Sequence, residues 1–133
     1  MKKYIQHQAP VLPVKDIRTS LAFYRDSLGF EIGWLWEDSY TSVFNGEIEI
    51  HLDKQDIITP QTIYFFVEDA DRVFEFLKKQ NVEIIKDIEL TPWGMREFSV
   101  REINGHIFRI GHGVKTTNEI ESFRKYLPDS SSW

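Results

Sequence analysis

Apolar residues recur at helical spacing in two places along the chain. Ile17, Leu21, Tyr24 and Leu28 form the first series, and Val73, Phe74 and Leu77 belong to the second. Around them the spacing shortens to two. Ile48, Ile50 and Leu52 alternate with Glu47, Glu49, His51 and Asp53, as on a half-buried strand. Each helical series is opened by the same phrase, Val14-Lys15-Asp16 and then Val67-Glu68-Asp69, and each half ends in an Asn-Gly hairpin signal, Asn45-Gly46 and Asn104-Gly105. Asp16 is placed to cap the first helix and Gly29 to stop it.

The pattern predicts strand, helix and three strands, repeated once. Strands are expected over 8–14, 30–37, 40–44 and 47–53, and again over 62–67, 82–89, 95–101 and 105–112, with helices over 16–28 and 69–80. Module 1 thus covers 8–53 and module 2 covers 62–112, joined by a polar linker, 54–61, that contains Thr59-Pro60. Pro10 and Pro13 withhold ladder donors and place the first strand at an edge. A further helix is expected over 118–127, capped by Asn118 or Thr117 and stopped by Pro128. The fold class is α+β: tandem βαβββ modules in a curved mixed sheet, helices outside, within one domain of 133 residues.

Composition narrows the function. A balance of 21 acidic to 16 basic residues disfavours nucleic acid as partner, since phosphate neutralisation needs clustered Lys and Arg. No apolar run reaches a membrane span and the first residues lack a signal-peptide core, so the expected location is the cytoplasm. The absence of cysteine removes disulfides, thiolate nucleophiles and Cys-based zinc sites. No nucleophile elbow or phosphate loop is present, which speaks against hydrolase, kinase and dinucleotide readings.

Aromatic residues carry the remaining signal. Trp93, between Pro92 and Gly94, stands in a loop, where it either walls a binding surface or caps the core end of the sheet. Trp34 and Trp36 share one strand face opposite Leu35, as wall, dimer contact or residues buried under the helices. Glu37, Asp38, Glu47, Glu49 and Asp53 form either an acidic rim or a solvated strand face. Arg109 is expected to share a face with Ile107 while Phe108 and Ile110 pack under the helices. It would then pair with Glu97 or Glu49, or offer its fork to a ligand's carboxylate or phosphate.

The ordered phrases Val14-Lys15-Asp16, Phe23-Tyr24, Leu28-Gly29-Phe30, Val67-Glu68-Asp69 and Asn104-Gly105-His106 resemble the vicinal oxygen chelate superfamily of glyoxalases, extradiol dioxygenases, fosfomycin-resistance enzymes and bleomycin-resistance proteins. The resemblance implies the paired-module fold and leaves chemistry open. Enzymes of this superfamily hold a divalent metal through His and Glu at positions occupied here by Ala9, Thr62, Arg109 and either Ile50 or His51. Only His51 among these is a good donor, so no metal ligand set and no cofactor is expected. His7 would be its nearest helper. His106 and His112 read as a turn residue and a strand-end residue.

The bleomycin-resistance branch is the nearer resemblance. Ala9-Pro10-Val11-Leu12 is similar to its first strand, where a proline accompanies strand exchange between dimer partners, and Pro92-Trp93-Gly94 is similar to its groove motif. The resemblance implies a metal-free homodimer without catalysis, whose grooves bind a cationic heteroaromatic ligand such as bleomycin. Its ligand-binding residues would be Trp34, Tyr40, Tyr64, Trp93, Gly94 and Arg109. The alternatives are a metal-dependent lyase, isomerase or dioxygenase with a rearranged ligand set drawn from His7, His51 and Glu97, and an interaction domain whose aromatics form only a dimer interface.

Overall fold

A computed structural model describes residues 3–113. The elements run β1 (Val11–Val14), α1 (Ile17–Ala22) continuing into a π-helical turn (Phe23–Ser27), β2 (Glu31–Trp36), β3 (Tyr40–Asn45) and β4 (Ile48–Lys54). The repeat follows as β5 (Thr62–Phe66), α2 (Ala70–Lys79), β6 (Glu83–Leu90), β7 (Met95–Arg101) and β8 (Ile107–Gly113). The α+β class and the tandem βαβββ order match the pattern in the sequence. The helix expected over 118–127 lies outside the described residues.

The strands pair as two four-stranded sheets, β1-β4-β3-β2 and β5-β8-β7-β6, and not as one continuous ladder. In each, the opening strand lies parallel to the closing strand at the edge, and the other pairs are antiparallel. β1 starts at Val11, three residues later than the sequence pattern suggests. Pro10 still contributes: its carbonyl accepts the His51 N–H at 2.9 Å. Contacts divide the chain into a first unit, up to Gln61 together with Ile103–His106, and a second, Thr62–Glu102 with the chain from Ile107.

In the first unit, the β1, β3 and β4 side chains Leu12, Val14, Val43, Ile50 and Leu52 are buried with Ile17, Leu21 and Tyr24 of the helix. Asp16 caps α1 by accepting the Thr19 N–H at 2.8 Å. The helix does not continue regularly to Leu28: it widens into the π turn, which seats the buried Tyr24 edge-on to both Phe23 and Phe30. Gly29, at φ 78°, then ends it in the left-handed region expected of a terminal glycine.

His106, read from the sequence as a turn residue, follows the Asn104-Gly105 turn as a hydrogen-bonded structural residue. It is fully buried; its Nδ1 accepts the Gln61 N–H at 3.0 Å, which leaves the proton on Nε2 to be donated to the Pro13 carbonyl at 2.7 Å. Asn104 accepts the Lys15 N–H at 3.0 Å and donates to Ser20 Oγ at 3.0 Å. The Asn-Gly-His phrase therefore pins the β1–α1 junction.

In the second unit, Phe74 and Leu77 of α2 are buried with Phe98, Val100, Phe108 and Ile110, and Phe74 meets Phe98 edge-on at 5.2 Å. Each such side chain contributes roughly 1.5–3 kcal/mol by burial. The start of α2 is held three ways. Asp69 accepts the Arg72 N–H, His112 Nδ1 accepts the Ala70 N–H at 3.0 Å, and Asp71 receives both Nε and Nη2 of Arg96. His112, expected as a strand-end residue, is buried by this role.

Candidate functional site

In the first unit one face of β2, β3 and β4 points away from the residues packed against α1. Register places Trp34 opposite Ser42, Ser42 opposite His51, and Trp36 opposite Tyr40, so Trp34 and Trp36 do share a face. A bulge at Gly33 sets this register, and a Cβ there would stand 3.1 Å from Ser42 Oγ. Both tryptophans are exposed, Trp34 by 47%, so burial under the helices is not their role. The Trp34 ring stacks on Tyr40, 5.6 Å between centroids and 10° between planes, and His51 meets both rings edge-on at 5.4 Å.

A polar relay runs through this cluster. Glu49 can only accept, so His51 Nε2 carries the ring proton toward it, and Nδ1 is left to accept the Tyr40 hydroxyl at 2.8 Å. The His51 hydrogen bond holds the Glu49 carboxyl below its ordinary pKa. Burial, together with the negative charges of Asp53 and Glu49, pushes the Tyr40 phenol up. The rim is thus divided: Glu49 and Asp53 lie on the strand that carries His51, whereas Asp38 is bound to Arg18 at 2.7 Å.

The second unit builds a different face from β5, β8 and β7. Tyr64 pairs with Arg109 and Arg109 with Ser99, the same row that aligns Val11, His51 and Ser42 in the first unit. Arg109 is therefore the counterpart of His51. Phe108 and Ile110 point the other way, into the core, as the alternation requires. Glu97, with a side chain only 4% exposed, accepts the Tyr64 hydroxyl at 2.6 Å on one oxygen and Arg109 Nη2 at 2.9 Å on the other. The guanidinium lies 5.5 Å above the Tyr64 ring. Burial, reinforced by Glu97, raises the Tyr64 phenol well above its usual pKa.

Gly111 makes this reach possible. Tyr64 and Glu97 stand on strands separated by β8, and a Cβ on Gly111 would strike the Tyr64 hydroxyl and lie 2.8 Å from Glu97 Cβ. The sequence reading missed this residue; the signal available was a glycine inside an otherwise β-favouring strand.

Trp93 occupies the tip of the β6–β7 hairpin and is 58% exposed, so it does not cap the core. Thr91 closes the turn through its carbonyl to the Gly94 N–H at 3.1 Å and through Oγ1 to the Met95 N–H at 3.0 Å. Pro92 presets its own φ, and Gly94 takes φ 92°, which a residue with Cβ rarely adopts. An open cavity of 260 Å³ on the first unit is lined by Lys15, Asp16, Thr19, Ser20, Ile103 and Asn104.

A sequence model of the Glyoxalase/Bleomycin resistance protein/Dioxygenase superfamily matches residues 4–110. The chain belongs to this superfamily. An uncharacterized Bacillus subtilis protein, YraH, is 29% identical over 107 residues, covering 68% of this chain and 80% of that one. Among solved structures, TioX from Micromonospora sp. ML1 is similar with a TM-score of 0.73 at 16% identity, over 81% of this chain and 99% of that one. The bleomycin-binding protein of Streptomyces verticillus, solved with copper(II)-bleomycin, has a TM-score of 0.70 at 23% identity, covering 83% and 98%. These structural likenesses establish the fold.

The positions that hold metal in enzymes of the superfamily do not fit a divalent ion here. Ala9 has no donor, Thr62 offers a neutral hydroxyl, and Arg109 brings a cation already bound to Glu97. His51 uses both ring nitrogens within its own cluster, and His7 stands 3.8 Å from Glu49. Among the described residues, no three His, Asp or Glu side chains are grouped to hold an ion. No helix among them is long and apolar enough to cross a membrane.

Acid sensitivity follows from three carboxyls. Asp71, Asp16 and Glu49 have folded pKa values lowered chiefly by the hydrogen bonds from Arg96, the Thr19 backbone and His51 respectively. A lowered folded value contributes stability above the unfolded pKa that is lost as pH falls through the folded one. Thermal melts should therefore shift downward as pH falls below about 4, where unfolded carboxyls protonate. Asp71→Asn should flatten part of that slope.

Proposed function

We propose that this protein is a metal-free homodimeric small-molecule-binding protein that sequesters a cationic heteroaromatic ligand in the cytoplasm without transforming it. Both units act as one domain in this reading. Trp34 and Tyr40 of the first unit, and Tyr64, Trp93, Gly94 and Arg109 of the second, supply the ligand-binding surfaces. The observation that carries the reading is the exposed Trp34 stacked on the half-buried Tyr40, with Glu49 and Asp53 on the neighbouring strand. A planar cation gains roughly 0.5–2 kcal/mol over such a face, and the adjacent carboxylates add attraction.

The likeness to the copper-bleomycin-binding protein supports a bulky heteroaromatic ligand of that chemistry. The enzyme alternative loses Glu97, which is buried and spent on Tyr64 and Arg109. Titration with metal-free and copper-loaded bleomycin, followed by tryptophan emission, tests the drug reading. Saturable binding is expected, weakened by Trp93→Ala about 2- to 30-fold, the equivalent of one aromatic–cation contact. No saturable binding would remove bleomycin as ligand. Stoichiometric metal in protein purified without chelator, lost in His51→Ala, would overturn the metal-free reading.

A further inference from the structure

We propose that Arg109 forms a carboxylate-recognising subsite on the second unit, taking an aromatic monocarboxylate whose ring rests on Phe66. The inference rests on the reading of these faces as ligand surfaces and deepens it by naming an anionic group. Phe66 is 79% exposed although large and apolar, and its ring lies 4.8 Å from Tyr64. The core does not use it. Arg109 lies over the same Tyr64 ring, so an apolar platform and a cation flank one aromatic residue.

The guanidinium is held without being used up. Glu97 takes Nη2 alone, the guanidinium lies 5.5 Å from the Tyr64 ring centroid, and the Arg109 side chain is 40% exposed. Its Nε and Nη1 donors have no protein acceptor among the described residues. Nη2 carries a second N–H that runs parallel to an N–H of Nε or of Nη1, and such a parallel pair matches the two oxygens of a carboxylate. The other charges of this face are paired with each other, Lys86 with Glu89 at 2.9 Å and Arg101 with Glu83 at 2.8 Å. Among the described residues, Arg109 is the cation of this face that also lies over the Tyr64 ring. The nearby negative Glu97 favours a singly charged carboxylate over a doubly charged phosphate.

The test compares ligands with one ring system and different charge: 2-naphthoate, 2-naphthylmethylammonium and 2-naphthyl phosphate, titrated by calorimetry. The expected order at this subsite is naphthoate tightest, with a loss of at least about tenfold, one good charge-assisted hydrogen bond, in Arg109→Gln. Since that variant leaves Glu97 buried beside a neutral group, the double variant Glu97→Gln/Arg109→Gln is run in parallel. It removes both charges and keeps a partner for Tyr64. Phe66→Ala should weaken naphthoate without changing the order. Naphthoate binding unchanged in the double variant, or phosphate preferred to carboxylate, would overturn the proposal. Loss of this subsite alone would leave binding of a cationic acridine that depends on Trp34. Failure of the acridine as well would overturn the broader reading with it.

Discussion

Arg109→Ala is expected to destabilise the protein by about 2–3 kcal/mol, less than the 3–5 typical of breaking a fully buried ion pair because Arg109 is partly exposed. The cost comes from the partner left behind. Glu97 has almost no contact with water, and without Arg109 its charge keeps, among the described residues, the Tyr64 hydroxyl. Glu97→Gln should cost less, since the amide still accepts from Tyr64 and the stranded guanidinium has solvent to turn to. Combining it with Arg109→Ala should recover most of the loss, because no buried charge then remains. Urea denaturation of the two single variants and the double variant measures this asymmetry directly. Equal losses for the two single variants would mean that Glu97 is better solvated than its burial indicates.

Gly111→Ala should be nearly as damaging, at about 1–3 kcal/mol, the usual range for overpacking a closed site. The new methyl would collide with the Tyr64 hydroxyl and with Glu97 Cβ, and would stand 3.0 Å from the Arg96 carbonyl. Two of these neighbours, the carbonyl and the Cβ, belong to the paired strand and have little freedom to move. The phenol must swing out, which breaks its bond to Glu97. This has a spectroscopic signature. In the native protein Tyr64 holds its proton well above the ordinary value of 10, so its stabilising contribution is complete below that pH and is lost as pH rises toward and through the raised folded value. In Gly111→Ala one more tyrosine than in the wild type should titrate near 10 in ultraviolet difference spectra, and the alkaline loss of stability attributable to Tyr64 should disappear.

The repeated pattern made most of the architecture legible. Asp16 caps its helix as its place before the apolar series predicts, Asp69 plays the same part in the second unit, and Arg109 points away from the core because Phe108 and Ile110 must point into it. Period and capping are local properties, and local properties survive in sequence. What stayed hidden depends on partners distant along the chain. The Gly33 bulge, the π turn at Phe23–Ser27, and the meeting of Tyr64, Glu97 and Arg109 over Gly111 each require a register that only pairing reveals. The partners of His106 and His112 stayed hidden for the same reason. A histidine that accepts from one backbone N–H looks, in sequence, like any turn or strand-end residue.

The two faces differ in chemistry although they descend from one repeated register. At the shared closing-strand position, the first unit places His51 between a phenol and a carboxylate, and the second places Arg109 over a phenol and against a carboxylate. The first face is acidic and aromatic, the second carries a guanidinium with donors to offer. Neither arrangement follows the metal-binding pattern of the superfamily's enzymes.

The central claim is that ligand is held by aromatic surface and not through a metal. The most direct measurement is an equilibrium titration of chelator-treated protein with a cationic acridine, comparing wild type with Trp34→Ala. The account predicts saturable binding that chelator leaves unchanged and that Trp34→Ala weakens by about 2- to 30-fold, the range of a lost aromatic–cation contact. Binding that vanishes with chelator, returns on adding one equivalent of a divalent metal, and is indifferent to Trp34→Ala would contradict it.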